Sequence, residues 1–165
     1  MDFELIYKQK YDPICRFCFR MTGDEETARD KAQETFIKLY ELMQKDHIPQ
    51  QMVPWLYKVS GNLCLNELNR IKMMKEKRNK ININTGTEHD NPESSFIKNE
   101  SAEMIRELID HLGHRQRILI LMYQDGLSYK ELSQATGIPY NSIGKTLWRI
   151  IDQVSEQIKK IDNGY

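Results

Sequence analysis

Apolar positions recur at helical spacing along most of the chain, and no stretch alternates as a half-buried strand would. Leu5, Ile6, Ile14, Phe17, Cys18 and Met21 predict a first helix from about Phe3 to Met21, with Asp12-Pro13 marking a kink or a restart. Thr22-Gly23-Asp24 breaks the pattern. Asp24 or Thr22 then caps a second helix, and Glu25 and Glu26 fall in its first turn, where the helix dipole favours acids. Ala28, Ala32, Thr35, Phe36, Leu39, Tyr40 and Met43 share one broad face of that helix; its other face is charged. The polar loop His47–Pro54 leads to a third helix starting near Val53-Pro54-Trp55, where proline suits the first turn. It runs through Leu56, Val59, Leu63, Leu65 and Leu68 into a basic tail.

Residues 81–100 break this periodicity with Asn82, Asn84, Gly86, Asp90, Pro92 and Ser94, a run too polar to build a core. It reads as a flexible linker. Met104, Ile105, Leu108, Ile109 and Leu112 then form an amphipathic helix, and Arg115–Gln124 another, stopped by Asp125-Gly126. Ser128-Tyr129-Lys130-Glu131 has the form of a capping box, with Leu132 and Ala135 facing inward. Gly137-Ile138-Pro139 is a tight turn, and Asn141 or Ser142 opens a last helix to about Ile161. The expected fold is all-α: two small helical domains joined by a flexible linker, the C-terminal one a helix-turn-helix. Gly137 supplies the left-handed conformation such a turn requires. Ile138, Ile143 and Leu147 lock the second helix on the first and leave Tyr140, Asn141, Ser142, Gly144, Lys145, Trp148 and Arg149 outward. Small, polar and basic groups at the start of that helix suit the edges of bases in a major groove; a helical hairpin that binds only protein is the plainer alternative.

Charge sharpens this picture. The formal net charge of the 165 residues is zero, so the total says nothing of a nucleic-acid partner. Its distribution does: from Trp55 to Lys80 seven Lys/Arg face two glutamates, and from Asn84 to Asp110 seven acids face Lys98 and Arg106. No apolar run approaches the roughly 20 residues of a membrane span. Met-Asp-Phe-Glu lacks the basic-then-apolar order of a signal peptide, so a cytoplasmic protein without membrane insertion is expected. Cys15, Cys18 and Cys64 are an odd number, expected as reduced thiols. Cys15 and Cys18 form a lone CxxC inside a helix. With no second ligand pair for zinc, buried thiols fit better than a metal site. His111 and His114 form an HxxH at a helix boundary. There is no phosphate-binding glycine loop, nucleophile elbow or zincin helix. No cofactor, metal or catalytic residue is expected, and the chain is read as no enzyme.

Four segments resemble one family. Gly126–Leu132, Thr136–Pro139 and Ser142–Arg149 look like the promoter-binding C-terminal domain of bacterial sigma factors, and Leu112–Arg117 resembles the motif that opens that domain. Ala28–Phe36 is similar to the segment that docks on the polymerase clamp helices, and Trp55–Leu63 resembles the promoter-melting segment. With two domains and no middle one, the chain is identified as resembling the extracytoplasmic-function group of the sigma-70 family.

The resemblance implies a division of labour. Residues 1–80 would bind core RNA polymerase and recognise and melt the minus-ten element; 81–100 would link; 101–165 would recognise the minus-thirty-five element. Asp30, Gln33 and Glu34 share a helix face and would meet the clamp helices of the largest subunit. The C-terminal domain would meet the flap of the second-largest. Without the family likeness these three polar residues would read as a solvated face; Phe36 and Leu39 read as core.

Lys58, Asn62, Asn66, Asn69 and Arg70 form a polar stripe suited to a melted strand, which needs cations for phosphate and surfaces for unstacked bases. The loop His47–Met52 lies where the family's base-reading loop lies. Trp55, among Leu56, Val59 and Leu63, reads as core rather than as a stacking platform. Lys72–Lys80 is either a phosphate track or a solvated helix end. Ser128, Tyr140, Asn141, Ser142, Lys145, Trp148 and Arg149 would contact the minus-thirty-five element. Lys145 sits on phosphate or reads guanine.

The chain departs from the family's usual residues at several of these positions. Asn66 replaces a common aspartate, Asn69 a basic residue, Gly144 a lysine, Thr146 an arginine and Trp148 a histidine, so the last helix has fewer cations over these positions, keeping Lys145 and Arg149. The group is typically held inactive by an anti-sigma factor, which makes one an expected partner. The acidic stretch Glu88–Glu107 is a further candidate for masking the basic melting segment. A degenerate sigma homologue and a conventional helix-turn-helix regulator are the alternatives to the sigma reading.

Overall fold

The computed structural model describes residues 2–81 and 104–162, apart from 106 and 110, and these are helical with short turns and without a strand. The linker expected over 81–100 and the masking stretch Glu88–Glu107 fall largely outside the described residues.

Helix α1 spans Phe3–Thr22. Asp2 caps it by accepting from the Glu4 amide at 2.9 Å, and Gly23 ends it in the left-handed region at φ 72°, its amide donating to the Phe19 carbonyl. Of the kink or restart expected at Asp12-Pro13, there is no restart: α1 is one element through Pro13. Helix α2, Glu25–Gln44, is capped by Asp24, whose carboxylate accepts from the Thr27 amide at 2.7 Å.

The two-residue turn makes α1 and α2 antiparallel neighbours. Ala28 and Ala32 let them approach closely, with Ile14, Phe17, Cys18, Met21, Thr35, Phe36 and Leu39 buried along the seam. At its open end the rings are in register: Phe3 meets Tyr40 at 5.2 Å between centroids, and Tyr7 meets Phe36 at 5.1 Å, both edge to face. Tyr40 and Met43 are therefore at the margin of the apolar face rather than inside it; Tyr40 is half exposed.

Helix α3, Met52–Ile81, runs 30 residues, about 45 Å at 1.5 Å per residue. Only its first half has a core face, through Leu56, Tyr57, Ser60, Gly61 and Cys64. From Lys72 to Arg78 every side chain is exposed.

After the gap, residues 104–105 and 107–109 are helical; Ile109 and Leu112 are buried, whereas Ile105, expected on the apolar face, is exposed. Helix α4, His114–Gln124, buries six consecutive residues, Arg117–Met122, so its middle turns are covered all round while both ends are exposed. Helices α5 (Tyr129–Thr136) and α6 (Tyr140–Asp162) complete the helix-turn-helix. The capping box is formed as expected. The Ser128 hydroxyl accepts from the Glu131 amide at 3.3 Å, and the Glu131 carboxylate accepts from the Ser128 amide at 2.8 Å. Gly137 takes φ 76°, and Ser133 holds the turn by donating to the Ile138 carbonyl at 2.7 Å. Leu132, Ile143, Leu147 and Ile150 fill the angle between the two helices. The last helix begins at Tyr140, slightly earlier than Asn141 or Ser142.

The two halves touch. Helix α5 lies on α3 and α4 on α1, and the buried residues form one continuous cluster across the boundary.

Candidate nucleic-acid and polymerase interface

The face of α2 that carries Asp30, Gln33 and Glu34 is solvent-accessible, with Glu34 half-buried. Sequence alone missed its organiser, Lys31. This side chain is only 15 % exposed, and its ammonium lies 3.0 Å from Asp30, 3.4 Å from Glu34 and 3.9 Å from Glu67 of α3. The hydrogen bond with Asp30, above all, raises the Lys31 pKa and keeps it charged. The two carboxylates are thus balanced from beneath while they face outward. Lys38 adds a second cation 3.5 Å from Glu34. Such a face offers placed hydrogen bonds more than bare negative charge, and Gln33 both donates and accepts. Phe36 and Leu39 are core, as their spacing indicated.

Glu67 links this face to the next. Its carboxylate, 14 % exposed, accepts from Arg70 Nε at 3.1 Å, and that bond chiefly holds the acid below its usual pKa. Arg70 is consequently oriented along α3 rather than loose in solvent. Lys58, Asn62, Asn66 and Asn69 are all exposed, so the expected stripe exists as one accessible surface down α3. Trp55 is half-buried against the core. The segment before α3 holds Asp46 at φ 54°, and Ile48 is exposed there.

On the helix-turn-helix, Tyr140, Asn141, Ser142, Lys145, Trp148 and Arg149 are exposed. Asn141, Lys145 and Arg149 make one row, and Tyr140 and Trp148 make an adjacent one with the exposed Ile151. Tyr140 is 58 % exposed and Trp148 65 %. Ser128 is exposed, but its hydroxyl is engaged, donating to Glu131 at 2.7 Å. Gly144 is a correction: it does not project outward, because the Tyr129 ring covers it. A Cβ at 144 would stand 3.4 Å from Tyr129 Cε2. That is an ordinary contact distance, and neither residue's sequence neighbours signal that meeting of α5 with α6.

The cysteines take no part in this surface. Cys18 and Cys64 are buried and hydrogen-bonded to each other, which with burial pushes the Cys18 thiol up; burial also raises Cys15, which is half-buried. Raised thiols are poor nucleophiles and poor metal ligands. Among the described residues no three His, Cys, Asp or Glu side chains gather as metal ligands, and no helix is long and apolar enough to cross a membrane. The His111 ring lies 2.7 Å from the Glu107 carbonyl, back along its own segment.

Comparison with known proteins fits this geometry. The sigma-70 region 2 family model matches residues 6–72, and the sigma-70 region 4 model matches 102–152, so α1–α3 and the helix-turn-helix fall within successive parts of one family. The RNA polymerase sigma factor YlaC of Bacillus subtilis is 29 % identical over 159 residues, covering 95 % of this chain and 92 % of that one. SigW of the same organism, an ECF RNA polymerase sigma factor, is 26 % identical, covering 94 % and 87 %. The fold matches that of the sigma factor RpoE from Bartonella quintana, solved in complex with the anti-sigma factor NepR, with a TM-score of 0.69 at 16 % identity over 96 % of this chain and 97 % of that one. The chain belongs to the sigma-70 family of RNA polymerase sigma factors, in its extracytoplasmic-function group.

Proposed function

We propose that this chain directs core RNA polymerase to promoters through three surfaces. Residues 1–80 bind the clamp helices of the largest subunit with Asp30, Gln33 and Glu34, and open the minus-ten element along Lys58, Asn62, Asn66, Asn69 and Arg70. Residues 81–100 span between promoter elements. Residues 101–165 meet the flap of the second-largest subunit and read the minus-thirty-five element with Tyr140, Asn141, Ser142, Lys145, Trp148 and Arg149. Ser128 sets the start of α5 against the phosphate backbone. The observation that carries this reading is the accessible α2 face and α3 stripe, joined by Lys31 and Glu67, in the same chain as an exposed helix-turn-helix face.

Polymerase supplies the chemistry, so the chain works without a catalytic residue of its own and acts where polymerase acts, in the cytoplasm. An anti-sigma factor is its expected regulator, a reading supported by the complex in which RpoE of Bartonella quintana was solved.

Multi-round transcription with core polymerase on a pool of promoter fragments tests the proposal. Discrete starts are expected only when the protein is added, and are expected to vanish with the double variant Asp30→Ala/Gln33→Ala. Polymerase binding with no starts would assign the chain to degenerate sigma homologues, a reading that the sparse cations and aromatic row of α6 favour. Tight duplex binding without polymerase binding would make it a conventional regulator.

A further inference from the structure

On the α3 stripe the guanidinium of Arg70 is held by two different acceptors. Glu67, one turn back, accepts from Nε at 3.1 Å and from Nη2 at 2.5 Å. The remaining nitrogen, Nη1, donates to the Sδ of Met74, one turn ahead, at 3.3 Å. The two grips are unequal. Carboxylate on guanidinium is a charge-assisted pair, whereas a thioether sulfur is a weak acceptor. Nη1 is therefore the nitrogen that Arg70 gives up to a phosphate at least loss, and the Met74 sulfur holds that place until a strand arrives.

Met74 is 55 % exposed, so its sulfur is open to solutes. The surrounding tail from Lys72 to Arg78, exposed throughout, sets four cations against Glu76 and attracts anions. Hypochlorous acid, with its anion, is an oxidant of the class that attacks such a thioether. In the net step the Cl–O bond breaks and a sulfur–oxygen bond forms. Sulfur gives up an electron pair, chlorine takes it and leaves as chloride, the oxygen ends on sulfur, and one proton is released. The product is methionine sulfoxide, whose oxygen accepts hydrogen bonds far better than the sulfur it replaces.

We propose that Met74 is an oxidation site whose sulfoxide oxygen takes Nη1 of Arg70 out of use for the minus-ten strand. The effect on DNA rests on the reading of the α3 stripe given above; the change at Arg70 does not. With the sulfoxide present, all three nitrogens of the guanidinium face strong acceptors, and a phosphate has to displace one of them. A methionine sulfoxide reductase returns the thioether, so the site is reversible. Met73, 58 % exposed, is the internal comparison: it is as open to oxidant, but the bond from Arg70 goes to Met74.

The test uses the full chain, free and in complex with core polymerase. Hypochlorous acid is titrated in, and peptide mass mapping locates each added oxygen. The complex oxidised at Met74 is expected to bind a labelled minus-ten single strand about fivefold more weakly, the net contribution of one hydrogen bond. Its slope of log affinity against log salt is expected to fall by about 0.7, as for one lost phosphate contact on a single strand. Reductase is expected to restore both. Each variant is compared with itself before and after oxidation: Met73→Leu is expected to keep the loss and Met74→Leu to abolish it. In the free protein the Arg70 Nε–H resonance, followed by NMR, is expected to shift on oxidation except in Met74→Leu, a pattern that general oxidative damage does not produce. The proposal is overturned by a Met74 that stays unoxidised while Met73 gains oxygen, by an unmoved Arg70 resonance, or by an equal loss of affinity in Met74→Leu. If the unaltered complex binds no minus-ten strand, the sigma reading fails, and the Arg70 resonance still decides what the sulfoxide does.

Discussion

Helices α3 and α6 each turn a face proposed for DNA to solvent, but the faces are made of different material. Along α3 it is Lys58, three asparagines and Arg70, with Arg70 steered by Glu67. Along α6 a thin polar row, Asn141, Lys145 and Arg149, runs beside the aromatic and aliphatic row of Tyr140, Trp148 and Ile151. Amides and cations suit a strand whose bases must be held after they unstack. An aromatic row suits the floor of a groove, where apolar contact to thymine methyls adds specificity without charge. On the proposed reading, one chain divides its affinity between a surface that salt weakens and one that salt weakens less.

The sharpest way to break this comparison is through the shared core. Phe17 is fully buried, meets the Tyr57 ring at 5.0 Å and lies beside the boundary with α4. Phe17→Ala should lower stability by about 3–5 kcal/mol. Denaturant unfolding followed by the two natural reporters, Trp55 in one half and Trp148 in the other, should show both transitions moving together. If only the Trp55 signal moves, the halves are energetically separate.

Salt distinguishes the two faces at the next level. Lys58→Ala should reduce the slope of log affinity against log salt by about 0.7–0.9 on promoter DNA in the polymerase complex. Trp148→Ala should weaken minus-thirty-five binding while leaving that slope unchanged. A slope change with Trp148→Ala would mean that the aromatic row acts by positioning Lys145 or Arg149.

The smallest expected effect is on acid stability. Hydrogen bonding from Thr27 holds Asp24 below its usual pKa, and Arg70 does the same for Glu67. A carboxylate depressed in the folded state stabilises fully above its unfolded pKa, near 4, and this contribution fades as pH falls through the folded value. Asp24→Asn keeps a good cap but removes the charge. Thermal melts between pH 7 and 3 should show a flatter acid limb and a loss of a few tenths of a kcal/mol at neutral pH. An identical acid limb would mean that Asp24 contributes only as a neutral acceptor.

Much of this architecture is local and so was legible in the chain. The caps at Asp24 and Ser128, the left-handed Gly137 and the buried spacing of Leu132, Ile143 and Leu147 each follow from residues a few positions apart. The accessible positions of both expected DNA faces follow in the same way. Pro13 did not divide α1, because the packing on either side of it carries one helix through the proline. Gly144 misled because its environment is set by a ring on another helix. The distant partners of Lys31, Arg20, Arg117 and Asp125 carried no local signal: a charged side chain looks solvated until a remote segment arrives to meet it.

The hydrogen bond that Arg117 of α4 donates to the Arg20 carbonyl, at the end of α1, bears on how the protein is made. Its two residues are 97 positions apart. At roughly 5–20 residues per second, a ribosome needs about 5–20 s to bring the second after the first. Through that interval the last turn of α1 and the flank of Phe17 wait without the helix that will cover them. The nascent N-terminal half therefore leaves the ribosome with that flank bare, and its surface is completed only when α4 has emerged.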